Sequence, residues 1–408
     1  HLLQNEGIEL LYWNSTPFNL GNLGLKSIKL SKVTPIKTDL LKRAKIEIEL
    51  DTFSDIFKNK VYETYKFPVK TNTSKAYVKN LIVNFYKFIY KNQTTVIQAK
   101  INHSILNSKE YKSALKHLKR EKPDLLFCTN QRTSNTIAPV LAAKALNIPT
   151  ACFIFSWDNL PKATKIIDTD FYFVWSNYMK DELMKYYPNT QENQIKVVGT
   201  PQFEPHYEIS NSDLKKFRKK YHLSFEKKYI LFSGDDLTTS PKDEQFLEAI
   251  CKSVTELNKK HKKNIAILFR RCPVDFSTRY NRVLEKYNSL ITEVRPLWRK
   301  QGESWNTISP TKKDSIMQAC TINVCDLVIN LGSSMVFDAV CHHKPTAFIN
   351  FNPEGIDERV WSVEKIYSFI HFQSMPNKDA VIWLNSKEEI TDKIMEGLDN
   401  PNKYVKNA

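Results

Sequence analysis

The chain has 408 residues, of which 41% are hydrophobic and 25% charged, and at ~100–200 residues per domain this length predicts two or three domains and excludes one small module. No stretch approaches the ~18–20 consecutive apolar residues of a membrane-spanning helix, so we predict a soluble, folded protein. Sixty Lys and Arg against 44 Asp and Glu give a net charge of +16. That balance favours an anionic partner: nucleic acid, a phosphorylated small molecule or an acidic membrane surface.

The seven cysteines are scattered along the chain without a CxxC pair, and several fall inside apolar runs. This pattern predicts reduced, buried thiols in place of a disulfide or zinc framework, and with them a cytoplasmic protein. The sequence also lacks HExxH, P-loop and GxSxG motifs. Zinc hydrolases, P-loop kinases and α/β-hydrolases are therefore disfavoured.

The chain opens within an element of structure. Leu2 and Leu3, followed by Gly7 and the apolar run 8–13, indicate the end of a helix, a turn and a strand. We therefore expect a first strand and the start of its helix to lie upstream of this sequence. The glycines of segment 19–24 lack the third glycine of a dinucleotide-binding loop, so we interpret this segment as a turn.

Residues from about 38 to 122 are predicted to form several amphipathic helices. Apolar residues recur there at helical spacing among many lysines, as in Tyr77, Leu81, Phe85 and Phe88. The favoured interpretation of the lysines is a solvated helix face.

Two series of alternating strands and helices follow. Unbroken apolar runs suit parallel strands that are covered on both faces. In the first series we predict strands at 124–128, 150–155, 171–175 and 195–198, with helices at 136–146 and 177–186. In the second series we predict strands at 229–233, 265–269, 292–294, 327–330, 346–351 and 380–384, with helices at 242–260, 276–288, 311–322, 334–342 and 387–398.

The two series predict an α/β protein with two Rossmann-like, doubly wound parallel-sheet domains facing each other across a cleft. We place the first domain at 1–205 and the second at 206–385. The terminal segment 386–408 is predicted to contain a helix that packs back on the first domain.

Ligands of such sheets bind at the carboxyl ends of the strands, which makes the loops after strands the candidate sites. Asn330 is followed by Gly332, Ser333 and Ser334, which can make a tight turn and begin a helix, so these three are predicted to hold phosphate. We expect a bulky replacement of Gly332 to weaken nucleotide binding without unfolding the protein. The same sequence also suits an ordinary capped turn that binds no phosphate. Asp338, four residues into the helix, reaches either a ligand or solvent.

Two further loops of the second series carry candidate phosphate ligands. Arg270 and Arg271 end a strand, and one of them is placed to clamp a phosphate; surface salt bridges are the alternative. Ser233 and Gly234 end another strand, where the glycine allows close approach of a ligand. The pair that follows, residues 235 and 236, is interpreted as turn-forming and not as a metal site.

In the first series, Trp157, Asp158 and Asn159 follow a strand. Asp158 is the best-placed carboxylate for a general base, and Trp157 can stack on a sugar, although a turn cap and a core tryptophan are equally compatible with this segment. The polar loop at Asn130, Gln131 and Arg132 suits a hydroxyl-rich or anionic ligand, or solvent alone.

Two sets of histidines stand apart from these loops. His103 and His206 lie near segments that the prediction places at the cleft. His342 and His343 end a helix, where their charge would complement the helix dipole.

Three stretches resemble glycosyltransferases of the GT-B fold, in particular bacterial cell-surface polysaccharide transferases and the related CDP-glycerol glycerophosphotransferases and capsule-type transferases. They are residues 122–203 (from KPDLLFCTN to VVGTPQF), FRRCPVD at 269–275 and CDLVINLGSSMVFDAVCHHKPTAFINF at 325–351. From the first to the last they span residues 122–351, about half of the chain. Cys272 occupies the position where the family's Arg/Lys-x-His-Pro loop usually has His, which puts a His-dependent role of that loop in doubt.

The resemblance implies that the GSS turn and the arginine loop hold the diphosphate of a nucleotide-sugar donor. It further implies transfer of the sugar, without a metal or other cofactor, to a hydroxyl of a glycan or lipid-linked acceptor bound by the first domain. Peripheral contact of the protein with the anionic inner face of the cytoplasmic membrane is left open. A CDP-glycerol-type polyol-phosphate transferase is the alternative. A nucleic-acid-binding protein is disfavoured, because the basic residues are spread over the chain without an RRM, KH or HTH signature.

Overall fold

The computed structural model of the protein describes residues 6–31, 33–67, 73–302 and 307–406. The predicted helix end at Leu2 and Leu3 lies outside the described residues. The chain divides into two compact units, residues 1–200 and 201–408. Each unit contains a parallel sheet with helices between its strands, which confirms the predicted α/β class with Rossmann-like parallel sheets. The predicted arrangement of the two domains across a cleft stays a prediction.

The first unit begins with two short strands, continues with helices and ends with a four-stranded sheet. Its strands are β1 (Tyr12–Asn14), β2 (Ser27–Lys29), β3 (Leu126–Cys128), β4 (Thr150–Phe153), β5 (Phe171–Val174) and β6 (Ile195–Val197). Its helices are α1 (Ile36–Phe57), α2 (Ser74–Ile89), α3 (Thr94–Ile105), α4 (Lys109–Glu121), α5 (Ile137–Ala145) and α6 (Asn177–Tyr186). β1 and β2 form a separate parallel pair, and β3 to β6 are parallel neighbours in chain order.

The second unit is built around a six-stranded sheet. Its strands are β7 (Lys228–Ser233), β8 (Ile265–Arg270), β9 (Ile291–Glu293), β12 (Leu327–Asn330), β13 (Thr346–Ile349) and β14 (Ile382–Leu384), with a small hairpin of β10 (Arg299–Lys300) and β11 (Ile308–Ser309). Its helices are α7 (Glu204–Glu208), α8 (Asn211–Lys220), α9 (Asp243–Lys260), α10 (Asn281–Lys286), α11 (Lys312–Val324), α12 (Met335–Val340), α13 (Val363–Tyr367), α14 (Ile370–Gln373), α15 (Ile390–Asp399) and α16 (Pro401–Val405).

The large sheet is covered on both faces, which explains why its strands lack polar alternation. Phe246 of α9 and Ile394 of α15 lie in the core on one face, and Phe217 of α8 and Cys320 of α11 lie in the core on the other. The terminal helix therefore packs in the second unit, because its buried residues complete that core. The prediction that 386–408 packs back on the first domain is corrected accordingly.

All seven cysteines are unpaired, six are buried, and the seventh, Cys341, is partly buried, which confirms the predicted thiols. Within the described ranges, no helix is long and apolar enough to cross a membrane. The predicted helix that carries Tyr77 and Phe85 is confirmed as α2, but its orientation differs from that of an ordinary amphipathic helix. Its buried residue is Val83, and the apolar stripe is exposed.

Candidate functional site

The strand order of the second sheet reverses at β7. From β7 the sheet continues through β8 and β9 on one side and through β12, β13 and β14 on the other. The carboxyl ends of β7 and β12 therefore flank the switch point, which is where open α/β sheets bind their ligands. The loops after β7, β8 and β12 contain the residues that the sequence predicted to bind the donor, so the sheet brings these three segments to one edge.

Three polar residues end the central strands in one row. Ser233 is paired in register with Arg270, and the pairing of Ile329 with Phe232 brings Asn330 beside Ser233. All three side chains are buried, although each is polar. Because residues in register on parallel strands point to the same face, the three side chains form a polar row on the α11 side of the sheet.

Two side chains of this row retain an unused hydrogen-bond donor. The Nη2 of Arg270 donates to Asp314 Oδ2 at 2.7 Å, but its buried Nη1 has no partner among the described residues. Asn330 Oδ1 accepts from the Ser333 N–H at 2.8 Å, and its buried Nδ2 is likewise without a partner in the described chain. A buried donor without a partner costs about 1–3 kcal/mol. Two of them in one row indicate an acceptor that comes from outside the chain.

Asp314 fixes the position of Arg270. It lies in the first turn of α11, whose capping Thr311 Oγ1 accepts from the Asp314 N–H at 3.1 Å. Its carboxylate also accepts from the Leu297 N–H at 2.6 Å and from the Trp298 indole at 2.7 Å. This charged pair is buried, so the guanidinium is held in one orientation.

The turn after β12 has the predicted backbone shape but a different sensitivity to substitution. Gly332 has φ +63°, and a Cβ there would lie 2.7 Å from the Phe372 ring and 3.1 Å from Tyr367. A bulky residue at 332 would disrupt this packing, which corrects the expectation that it leaves the fold intact. Within the described residues the N–H groups of Gly332 and Ser334 donate no hydrogen bond. Both amides therefore remain available to an anion.

The loop after β7 differs from its prediction at Gly234. A Cβ at Gly234 would lie 2.7 Å from the Tyr280 hydroxyl and 3.1 Å from Asp243 Oδ2. The close approach that the glycine permits is thus made by the protein's own side chains and not by a ligand.

The two acids that follow Gly234 have different roles. Asp236 Oδ1 accepts from the N–H groups of Thr238 and Thr239, so it is the turn-former that the sequence predicted. Asp235 is not, because its buried Oδ2 has no partner among the described residues. Burial and the neighbouring Asp243 carboxylate raise the pKa of Asp235 well above its usual value. No local sequence signal distinguishes these two adjacent acids.

Arg271 belongs to the structure of its own loop. Its Nη1 donates to the carbonyl oxygen of Ser277 at 3.0 Å, and its Nε lies 3.4 Å from the Glu293 carboxylate. The buried Nε makes no hydrogen bond among the described residues, so Arg271, like Arg270, keeps one unused donor, but that donor lies against the Glu293 carboxylate.

Asp338 is neither a ligand contact nor a solvent-exposed residue, which corrects its predicted role. Its Oδ1 accepts from His206 Nε2 at 2.7 Å and from Gln318 Nε2 at 3.1 Å, and the side chain is buried. His206 Nδ1 lies 3.0 Å from His342 Nε2. Burial and the neighbouring His206 lower the pKa of His342 to about 4, so it is neutral at pH 7 and is not the helix-end cation that the sequence suggested.

In the first unit, the predicted acceptor residues Gln131 and Asn159 are structural. Both are buried, and Gln131 Nε2 donates to Asn159 Oδ1 at 3.2 Å and to Thr164 Oγ1 at 3.1 Å. Gln131 Oε1 accepts from the Phe155 N–H at 3.0 Å. Because these amides are buried and already bonded, they are not free for an acceptor, and their predicted role is corrected.

The remaining predicted residues of the first unit are more accessible. Arg132 is exposed, Trp157 is partly buried, and Asn130 Oδ1 accepts from the Arg132 N–H at 2.9 Å. Asp158 is partly buried; it pairs with Lys162 and accepts from Asn159 Nδ2 at 2.9 Å. The Lys162 ammonium therefore lies against the carboxylate that the sequence predicted as a general base.

Glu182 in α6 is a titratable residue that the sequence reasoning missed. Burial, together with the charge of Asp158, raises the pKa of Glu182 to about 7. A helical glutamate gives no local signal of such a shift. In the described ranges no group of three or more His, Cys, Asp or Glu is placed to hold a metal ion.

No protein-family model and no curated protein sequence matches the chain. Among solved structures it is similar to the UDP-GlcNAc 2-epimerase from Methanocaldococcus jannaschii, with 15% identity over 88% of this chain and 90% of the other, at a TM-score of 0.46. The UDP-GlcNAc 2-epimerase from Neisseria meningitidis, bound to UDP-GlcNAc, has 13% identity over 91% of this chain and 92% of the other, at a TM-score of 0.45. A glycosyltransferase from Rickettsia africae has 14% identity over 74% of this chain and 76% of the other, at a TM-score of 0.41. The assignment of the fold rests on the two parallel sheets of this chain.

Proposed function

We propose that the protein is a metal-independent glycosyltransferase of the GT-B type that uses a nucleotide-sugar donor. In this proposal the second unit binds the donor, and the sugar passes to a hydroxyl of a surface glycan or lipid-linked acceptor. The observation that carries the proposal is the polar row at the switch point, where Arg270 and Asn330 each keep one buried, unused donor. A nucleotide diphosphate supplies the acceptor oxygens that these donors lack.

The row suits the chemistry of sugar transfer because negative charge develops on the leaving diphosphate as the glycosidic bond to it breaks. Fixed N–H donors in a water-poor site stabilise such charge without having to reorganise. Arg270 supplies a charge-assisted donor, and its pairing with Asp314 orients it. The Asn330 amide and the backbone N–H groups of Gly332 and Ser334 add neutral donors, and Ser233 lies between the two side chains.

We place the acceptor in the first unit, with Asp158 as the general base. Lys162 pairs with its carboxylate, and Trp157 offers a face on which a sugar can stack. Asn130 and Arg132 stay proposed acceptor contacts because their loop is accessible. Glu182 is a second candidate base, since a pKa of about 7 suits proton transfer at neutral pH.

The test is titration calorimetry of the protein with UDP, GDP, CDP, CMP and dTDP conjugates. Asn330→Asp keeps the oxygen that accepts from Ser333 but removes the Nδ2 donor and adds a negative charge beside the phosphates. We expect it to weaken binding at least tenfold, about 1.4 kcal/mol or more. The matched control is Asn264→Asp. It adds the same charge to an exposed residue at the amino end of β8, whereas Asn330 lies at the carboxyl end of β12.

Unchanged affinity in Asn330→Asp, or no binding of any conjugate to the wild-type protein, would contradict the site. The same screen separates the alternative function. A polyol-phosphate transferase needs the same phosphate-binding row but takes a CDP-linked polyol, so selective binding of CDP-glycerol over the nucleotide sugars would favour it.

A further inference from the structure

Helix α2 exposes an apolar face that has no partner within the described residues. Tyr77, Leu81, Phe85 and Phe88, spaced four, four and three residues apart, form one stripe along the helix. Between 51% and 82% of each side chain's surface is exposed, whereas Val83 on the opposite face is 2% exposed. We call these four residues the α2 stripe. An ordinary surface helix has the reverse distribution, with its apolar residues inside.

The charged residues of the sequence segment that contains α2 have one sign. Between Glu63 and Glu110 the sequence contains no acidic residue and eight lysines, at positions 66, 70, 75, 79, 87, 91, 100 and 109. Lys87 is engaged by Glu47 and Asp51 of α1, at 3.0 and 3.3 Å. Lys75 and Lys91, at the two ends of the helix, are exposed.

The combination identifies the chemistry of the partner. Tyr, Leu and Phe on one face, with lysines at the ends and flanks and no acidic residue, are what a helix needs to lie in the headgroup region of an anionic bilayer. The rings enter the acyl boundary, and the ammonium groups reach the lipid phosphates. We propose that the α2 stripe docks the first unit on an anionic phospholipid surface. This inference goes beyond the proposed sugar transfer and does not depend on it.

The test is sedimentation of the 408-residue protein with phosphatidylcholine vesicles, with and without phosphatidylglycerol. We expect binding only to the anionic vesicles, and weaker binding at high salt because salt screens the lysines. Leu81→Gln, Phe85→Gln and Phe88→Gln combined should lower the partition coefficient more than ~100-fold. Lys75→Gln, Lys79→Gln and Lys91→Gln combined should lower it about fivefold per lysine.

Matched controls lie in the second unit. Phe225→Gln removes an aromatic ring that is 80% exposed, and Lys219→Gln, Lys220→Gln and Lys227→Gln combined remove three exposed charges. These variants should bind like the wild type. Circular dichroism checks that every variant keeps its helix content.

Three results would overturn the proposal. They are no binding of the wild type to anionic vesicles, equal binding of the α2-stripe variant and the wild type, and a wild-type dimer by light scattering that the variant converts to a monomer. The last result would assign the stripe to a second copy of the chain. None of these results alters the nucleotide titration of the row in the second unit, so the two proposals fail separately.

Discussion

Polar side chains follow buried strands in both units, but they differ in their remaining hydrogen-bonding capacity. In the first unit Gln131 and Asn159 bond each other and their neighbouring loops, and nothing in the pair is left over. In the second unit Arg270 and Asn330 each use part of their capacity within the chain and keep one buried donor. A polar residue at a strand end is thus not by itself a candidate for ligand binding, and the proposed donor site rests on the two unused donors that lie in one row.

Asp158 tests whether the first unit carries chemistry next to its structural amides. If it is the base, Asp158→Asn should lower the single-turnover transfer rate at saturating donor by ~10²–10⁴ while donor affinity stays the same. Asn is itself a good turn residue, so the fold should be preserved. A rate per folded molecule close to that of the wild type would contradict the assignment and transfer the role to Glu182.

Gln131 tests the structural side of the comparison. Gln131→Leu leaves the buried Asn159 Oδ1 and the partly buried Phe155 N–H without their partner, so we expect a loss of about 3 kcal/mol in the free energy of unfolding. Urea unfolding measures it. Donor affinity measured below the unfolding transition should not change, and a stable variant with weaker donor binding would reverse the comparison.

Gly332, the glycine after β12, has a structural role and is also part of the proposed donor site. Gly332→Ala should lower the free energy of unfolding by about 3 kcal/mol, because it combines a left-handed backbone with overlap against the Phe372 ring. Gly355→Ala is the control, since Gly355 has φ +64° but only the flexible end of Lys242 near its Cβ position. Equal losses in the two variants would show that backbone strain alone explains the effect.

The sequence predicts most of the fold because apolar runs and helical spacing are local signals. The helix Asn177–Tyr186 and the strand Leu327–Asn330 are confirmed to the residue. The order of the strands comes from contacts that are distant along the chain, so the switch point between β7 and β12 appears only in the structure. The packing of the terminal helix was mispredicted for the same reason, since an apolar stripe at Ile390 and Ile394 does not specify which core it completes.

The site is less predictable than the fold. The sequence located the loops after β8 and β12, with Arg270 and the turn at Gly332, because strand ends follow from local patterns; their role in donor binding stays a prediction. It could not separate Asp235 from Asp236 or foresee that Asp338 is bonded by His206, because burial and distant partners decide both. Asn330 was named only as the start of its turn, since its spare donor depends on neighbouring strands.

The acids after β7 provide the smallest test, through the pH dependence of stability. Burial raises the pKa of Asp243 to about 6, so the folded state binds a proton more tightly than the unfolded state does. The stabilisation is complete below the unfolded pKa near 4 and is lost as the pH rises to about 6. Asp243 alone should therefore lower the free energy of unfolding by about 2 kcal/mol over this range, and Asp243→Asn should remove that part, while the fall that Asp235 causes in the same direction remains.

Asp236 is the matched control in the same loop. Although burial opposes the effect, hydrogen bonds from Thr238 and Thr239 lower the pKa of Asp236, so its contribution has the opposite sign. That stabilisation is present above the unfolded pKa and is lost as the pH falls through the folded one. Asp236→Asn should therefore leave the fall between pH 4 and 6 in place while lowering stability at neutral pH. If Asp243→Asn and Asp236→Asn flatten the same part of the pH dependence of unfolding in urea, the two acids are equivalent, and the distinction between the buried acid cluster and the turn-former does not hold.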